Sequence, residues 1–173
     1  VAVLLLALTH TVDVWDRRSK WTNYIESAQY SPNLFGVSLE PGVQVFWEDE
    51  LLASWIILNR PSFVNSQQAA GIAFNRGTAV EVVRRQKMFD IFYMQKQICS
   101  LLNNLNSNNA CSVDDQQINM LCANGAGPDY LVLTDRLQTA PQGTWSIMGG
   151  SKGDRQINYY LYRCTDFFTH SEE

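Results

Sequence analysis

Four cysteines, Cys99, Cys111, Cys122 and Cys164, are the residues of this sequence with the most readily interpreted chemistry. An even number of cysteines at long, irregular spacing is typical of two disulfides in an exported protein, and three pairings are possible. The alternative is a set of four reduced core cysteines in a cytosolic protein. A zinc site is disfavoured because the C-x2-C spacing is missing and no histidine is near the cysteines in sequence. We therefore expect at least one disulfide.

Carboxylates cluster at two places in the sequence. Glu48, Asp49 and Glu50 form the densest group, which could bind a cation or act as an acid/base pair. Neighbouring residues of a strand point to opposite faces and no histidine can be placed beside this group, so a solvated turn is favoured. Asp114 and Asp115 could contribute to a calcium loop. Because the D-x-[DN]-x-[DN]-G pattern is missing, a helix start or a polar turn is favoured there.

Two further motifs could carry chemistry but are incomplete. The glycine-rich loop at 149–153 lacks the G-x-x-x-x-G-K-[ST] pattern of a phosphate loop and is predicted to join two strands. His10 borders an apolar run, and no nucleophile can be placed beside it. We therefore predict no catalytic residue, no metal and no cofactor. Nucleic-acid binding is also disfavoured, because 13 Lys and Arg against 17 Asp and Glu give a net charge of −4.

An apolar run, VAVLLLAL at residues 1–8, opens the sequence, and no glycine or proline occurs before Pro32. At helical spacing the run begins a continuous apolar stripe. The stripe comprises Leu4, Leu5, Leu8, Val12 and Trp15, followed by Trp21, Ile25 and Ala28. This pattern predicts one helix over about residues 1–29, roughly 43 Å long, apolar at its start and amphipathic at its end. The alternative is a buried strand at 2–8 followed by a separate helix.

The remainder of the chain, residues 30–173, is predicted to form a single α+β head with a mainly antiparallel sheet. Pro41 and Gly42 fit a type II turn, which predicts a hairpin of residues 34–39 and 43–47. Further strands are predicted at 53–58, more weakly at 71–74, and at 130–134, 144–148 and 156–162, of which the last two form a hairpin.

A second long helix is predicted from residue 78 to about residue 105. Thr78 and Glu81 fit a capping box, in which each side chain bonds the backbone N–H of the other residue. An apolar face then follows at helical spacing. Its members are Met88, Ile91, Phe92, Ile98, Cys99, Leu102 and Leu105. We expect this face to be buried, so that Ile91→Asp or Phe92→Asp would prevent folding.

The apolar start, its continuation without glycine or proline into an amphipathic helix, and the later strands resemble the stalk and head of type IV pilins and of type II secretion pseudopilins. The closing segment INYYLYRC at 157–164 and the paired cysteines are similar to those of minor pilins. The family's cleavage site and its glutamate near the mature N-terminus would lie upstream of Val1 or be absent. The long mid-chain helix is not typical of the family.

The resemblance implies an assembly function without a catalytic residue. The apolar stripe that begins at Leu4 would pack against copies of the same or related subunits in a fibre, or contact the inner membrane through residues 1–12. The head would then be displayed in the periplasm or outside the cell. Two other hypotheses stay open: an exported or membrane-tethered α+β binding domain, and a small α/β enzyme with residues 2–8 as a core strand.

Overall fold

The computed structural model of the 173-residue chain describes residues 20–28, 30–67, 74–105, 111–123, 125–148 and 156–168. This part of the chain combines three α-helices with one four-stranded sheet. The helices are α1 (Lys20–Ser27), α2 (Arg76–Leu105) and α3 (Asp115–Cys122), and the strands are β1 (Val45–Trp47), β2 (Tyr130–Leu133), β3 (Gly143–Met148) and β4 (Gln156–Arg163). The α+β class and the long second helix are therefore confirmed.

The sheet has the strand order β1-β2-β4-β3 and is mainly antiparallel. β3 and β4 form the predicted hairpin, and β4 also pairs antiparallel with β2. β1 pairs parallel with β2. A parallel pair needs a long crossover connection, which here contains α2 and α3.

The sheet has a core on each side at β1 and β2, because their successive residues point to opposite sides and all are buried. Phe46 and Leu131 face α2 and α3, where they pack with Phe89, Phe92 and Ile118 in what we call the α2 core. The residues that follow them, Trp47 and Val132, face the other way. They form the α1 core together with Trp21, Ile25, Tyr159 and Leu161.

The described end of the predicted N-terminal helix is α1. Trp21 and Ile25 are buried in the α1 core, and Ala28 packs against it at partial exposure, as the stripe predicted. Residues 1–19 lie outside the described residues, and with them His10 and the predicted assembly face of Leu4, Leu5, Leu8, Val12 and Trp15. Among the described residues, no helix combines the length and apolarity needed to cross a membrane.

The predicted hairpin around Pro41 was wrong, although its turn is present. Gly42 has the positive φ, 84°, that the turn requires. The segment before the turn does not form a strand, and β1 bonds instead to the segment at 61–63. The N–H of Val45 donates to the carbonyl of Pro61 at 3.0 Å, and the N–H of Phe63 donates to the carbonyl of Val45 at 2.9 Å. These bonds occupy the edge of β1 that the predicted partner needed.

The strand predicted at 53–58 was also wrong, because Ala53–Ile57 forms a π-helical turn. Ala53, Ile57 and Leu58 are buried, whereas Trp55 is 46% exposed. A turn of helix can bury one side of the segment and expose the other, whereas a fully buried strand would leave no residue exposed. The weaker strand predicted at 71–74 lies outside the described residues except for Phe74, which is exposed.

The cap of α2 differs from the predicted capping box at Thr78. The side-chain oxygen of Asn75 accepts hydrogen bonds from the N–H of Gly77 at 2.8 Å and from the N–H of Thr78 at 3.2 Å. Glu81 instead pairs with Arg84 and Arg85, and their hydrogen bonds lower the pKa of Glu81 to about 2. The helix therefore begins at Arg76, because Asn75 provides a cap earlier in the chain.

Candidate interaction surface

The acidic cluster that follows β1 is not the solvated turn that the sequence predicted. Glu48 and Glu50 are buried, at 3% and 6% exposure, and only Asp49 is exposed. The two buried carboxylates face opposite sides of the sheet. Glu48 bonds to Lys96 of α2, and Glu50 accepts a hydrogen bond from Trp21 of α1. Each therefore joins a helix to the sheet.

Glu48 lies in a network at the carboxyl ends of the parallel strands β1 and β2. One oxygen bonds to the Lys96 ammonium, and the other accepts from the N–H and the hydroxyl of Thr134 at 3.0 and 2.9 Å. Lys96 also pairs with Asp135 at 2.7 Å. Burial lowers the pKa of Lys96, but Glu48 and Asp135 outweigh burial and raise it overall. Lys96 therefore stays charged and acts as a structural clamp that joins α2 to Glu48 and Asp135.

The cysteines form two disulfides, Cys99–Cys111 and Cys122–Cys164. The first joins α2 to the segment before α3. The second joins α3 to the residue that follows β4. Both confirm the expected disulfide bonding and indicate an oxidising, exported compartment. The sequence left three pairings open, because pairing depends on which cysteines the fold brings together.

Asp114 and Asp115 begin α3, as the favoured interpretation predicted. Asp114 is its N-cap and accepts from the N–H of Gln116 at 3.3 Å. Asp115 accepts from the backbone of Gln138 and from the N–H and hydroxyl of Thr139 at 2.7–3.0 Å. Within the described ranges, no group of three or more His, Cys, Asp or Glu residues could hold a metal ion. The glycine-rich loop at 149–153 lies outside those ranges.

The long helix α2 buries only part of the face that was predicted. Phe92 and Cys99 are buried and Met88 is partly buried, as expected. Ile91, Ile98 and Leu102 face solvent at 48–53% exposure, and the side chain of Leu105 lies outside the described part. The inward residues that the prediction missed include Phe89, Tyr93 and the clamp residue Lys96.

A second apolar stripe therefore lies on the side of α2 that faces away from the sheet. We call it the outer face of α2, and it consists of Ile91, Met94, Ile98, Leu101 and Leu102, at 48–64% exposure. Soluble monomers rarely expose so much contiguous apolar surface unless it binds something. The sequence did contain a signal for it, because Ile91, Ile98 and Leu105 recur every seven residues, as do Met94 and Leu101.

A shallow groove extends this surface towards α3. Lys87, Ile91, Met120 and Leu121 are among the residues that line the groove, whose volume is about 190 Å³. Met120 is 54% exposed, so the apolar surface continues from α2 onto α3. A comparison with protein-family models, curated proteins and solved structures finds no match for this chain.

Proposed function

We propose that this protein is a non-enzymatic assembly subunit of a pilus-like or secretion-associated fibre, held at its apolar N-terminus. The supporting observation is the packing of α1 on the sheet. Trp21 lies 6.0 Å from Trp145 and 6.1 Å from Tyr159, measured between ring centroids. The head therefore sits directly on the described end of the predicted N-terminal helix. This arrangement suits a subunit in which a helical stalk carries a rigid head.

The N-terminal segment supplies attachment in this proposal. Residues 1–8 are uniformly apolar and the charged residues follow from Asp13 onwards. We infer that residues 1–12 pack with other subunits or contact a membrane before assembly. The two disulfides stabilise the head in the periplasm or outside the cell.

A second candidate function is that of an exported or membrane-tethered binding domain. It is favoured by the outer face of α2, which is an apolar surface on the head itself. In that case residues 1–11 would be a signal remnant or an anchor, and the outer face would bind a protein partner. A mid-chain helix with an exposed apolar face suits this function as well as it suits a fibre subunit.

The N-terminal attachment can be tested by comparing three forms of the protein. Deleting residues 1–11 should leave a folded and more soluble head, because Trp21 and Ile25 still hold α1 on the sheet. The double variant Leu5→Asp, Leu8→Asp of the 173-residue chain should also be folded and more soluble. The double variant Thr9→Ser, Thr11→Ser is the matched control. Membrane fractionation and light scattering report retention and assembly, and circular dichroism reports folding.

Two results would contradict the attachment role. One is retention or assembly of the Leu5→Asp and Leu8→Asp variant at the level of the unaltered chain. The other is unfolding of the truncated protein, which would assign residues 2–8 to the core as a strand and favour the small α/β enzyme.

A further inference from the structure

The outer face of α2 has the residue spacing of a two-stranded coiled coil. Ile91, Met94, Ile98 and Leu101 alternate at intervals of three and four residues, which is the a/d pattern of a heptad repeat. Their exposures are 53, 56, 48 and 64%. An identical helix presents matching knobs and holes to such a stripe.

α2 cannot rotate about its own axis to bury this face against the head. On the opposite side of α2, Phe89 and Phe92 are 1% exposed, and Lys96 is bound to Glu48 and Asp135. The Cys99–Cys111 disulfide further fixes the end of the helix. Rotation would expose the two phenylalanines and break the clamp. The outer face is therefore a rigid, preformed surface.

The outer face is also uncharged. From Ile91 to Leu105 the one charged residue in the sequence is Lys96, and its ammonium points inward to Glu48. Two copies of a chain with a net charge of −4 can therefore meet here without like-charge repulsion.

Charges at the amino end of the stripe favour one orientation. Arg84 and Lys87 lie seven residues before Ile91 and Met94, so they continue the stripe; Glu81 pairs with Arg84, and Lys87 is left exposed. In a parallel pair, each of these two residues would face the same residue of the other chain, and their like charges would repel. In an antiparallel pair centred on Ile98, each passes beyond residue 105 of the other copy, near the carboxyl end of that helix. The helix dipole favours cations at this end.

We propose that two copies of this chain associate through the outer faces of their α2 helices, antiparallel about a two-fold axis near Ile98. If all of it is covered, the exposed surface of the outer face and Met120, roughly 650 Å² per copy, gives about 1,300 Å² for the pair, at the lower end of the range of stable interfaces. The contact does not depend on the proposed N-terminal attachment, because it uses none of residues 1–12.

Cysteine cross-linking of the 173-residue chain tests both the contact and its orientation. Ile98→Cys places two thiols at the axis, so mild oxidation should give a covalent dimer. Ile91→Cys alone should not cross-link, because antiparallel pairing separates the two copies of residue 91 by about 20 Å. Val80→Cys, on the same helix and outside the overlap, is the matched control. Mass mapping confirms that Cys99–Cys111 and Cys122–Cys164 stay intact.

Sedimentation of Ile98→Glu gives a second readout. Two carboxylates at the axis should abolish the dimer, and circular dichroism should remain unchanged because residue 98 is half exposed in a single copy. Val80→Glu should sediment as the unaltered chain does. The proposal is overturned if the unaltered chain is monomeric, if Ile98→Glu still dimerises, or if Ile91→Cys or Val80→Cys cross-links as readily as Ile98→Cys. Each outcome is independent of whether the chain enters a fibre.

Discussion

The indole nitrogen of Trp21 donates a hydrogen bond to the carboxylate of Glu50, 2.7 Å away, although 29 residues separate the two in sequence. Both side chains are buried in the folded chain, at 5% and 6% exposure. The bond joins α1 to the residue that follows the turn after β1. It is therefore a polar link between the N-terminal helix and the sheet, beside the aromatic packing of Trp21.

Removing this link should destabilise the head. Trp21→Phe keeps an aromatic ring but loses the donor to a buried carboxylate, which should lower the free energy of unfolding by about 2 kcal/mol. Urea denaturation measures the effect. Trp55→Phe is the control, because Trp55 is 46% exposed and its change should stay within about 0.5 kcal/mol. Equal stability of Trp21→Phe and the unaltered protein would show that the bond contributes nothing.

The head should lose stability in alkaline solution. Burial, with nearby carboxylates, raises the pKa of Tyr93 and Tyr159 above the ordinary 10.0, and Glu48 and Asp135 raise that of Lys96 above 10.5 despite its burial. The folded state holds these protons more tightly than the unfolded chain does. Stability is therefore fully present below about pH 10 and falls as the pH rises further.

Urea denaturation at increasing pH and the near-ultraviolet absorbance of tyrosinate measure this effect together. Absorbance from the buried tyrosines should appear with unfolding, and Tyr93→Phe should reduce the alkaline loss of stability. Complete ionisation of every tyrosine near pH 10 in a folded protein would contradict the prediction.

The cap of α2 can be assigned by two alanine substitutions. Asn75→Ala removes the acceptor of the N–H groups of Gly77 and Thr78 and should cost about 1 kcal/mol. Thr78→Ala lies inside the helix and should change the free energy of unfolding by less than about 0.5 kcal/mol. Urea denaturation distinguishes them. If Thr78→Ala lowered the free energy of unfolding more than Asn75→Ala does, Thr78 would be the cap.

Introducing a carboxylate at two adjacent residues of α2 should have opposite effects on folding. Phe92→Asp should prevent folding, because Phe92 is 1% exposed among Phe46, Phe89 and Tyr93. Ile91→Asp should fold normally, because Ile91 is 53% exposed. Far-ultraviolet circular dichroism and solubility decide between them. A folded Phe92→Asp variant would mean that α2 buries another face.

The two disulfides should differ in their contribution to stability. Cys122–Cys164 closes a loop of 42 residues and Cys99–Cys111 one of 12, so replacing each pair by alanine should cost about 4 and about 3 kcal/mol. Urea denaturation under non-reducing conditions measures both. Intact mass after alkylation is the control, since the native protein should gain no label until it is reduced. Labelling without reductant would show that the thiols are free.

Short sequence patterns were sufficient to predict many of the local elements of this protein. The turn at Gly42, the strands β2, β3 and β4, the existence of α2 and the start of α3 at Asp115 all follow from patterns a few residues long. Such patterns act through neighbouring backbone and side-chain groups, so they hold in any fold that keeps the segment. The even cysteine count likewise predicted disulfides, because it depends on composition.

Other features depend on contacts between residues far apart in the chain, and these contacts form only in the folded protein. β1 pairs with β2 instead of forming a hairpin, because the segment at 61–63 takes its other edge. Glu48 is buried because Lys96, 48 residues later, neutralises it.

α2 has two apolar stripes, and periodicity alone does not say which of them meets the sheet. The aromatic residues of β1 and the position of the Lys96 clamp selected the face that carries Phe89 and Phe92. The outer face that begins at Ile91 was left exposed as a consequence. The free energy of burying a side chain depends on the partners that surround it, and only the folded chain supplies those partners.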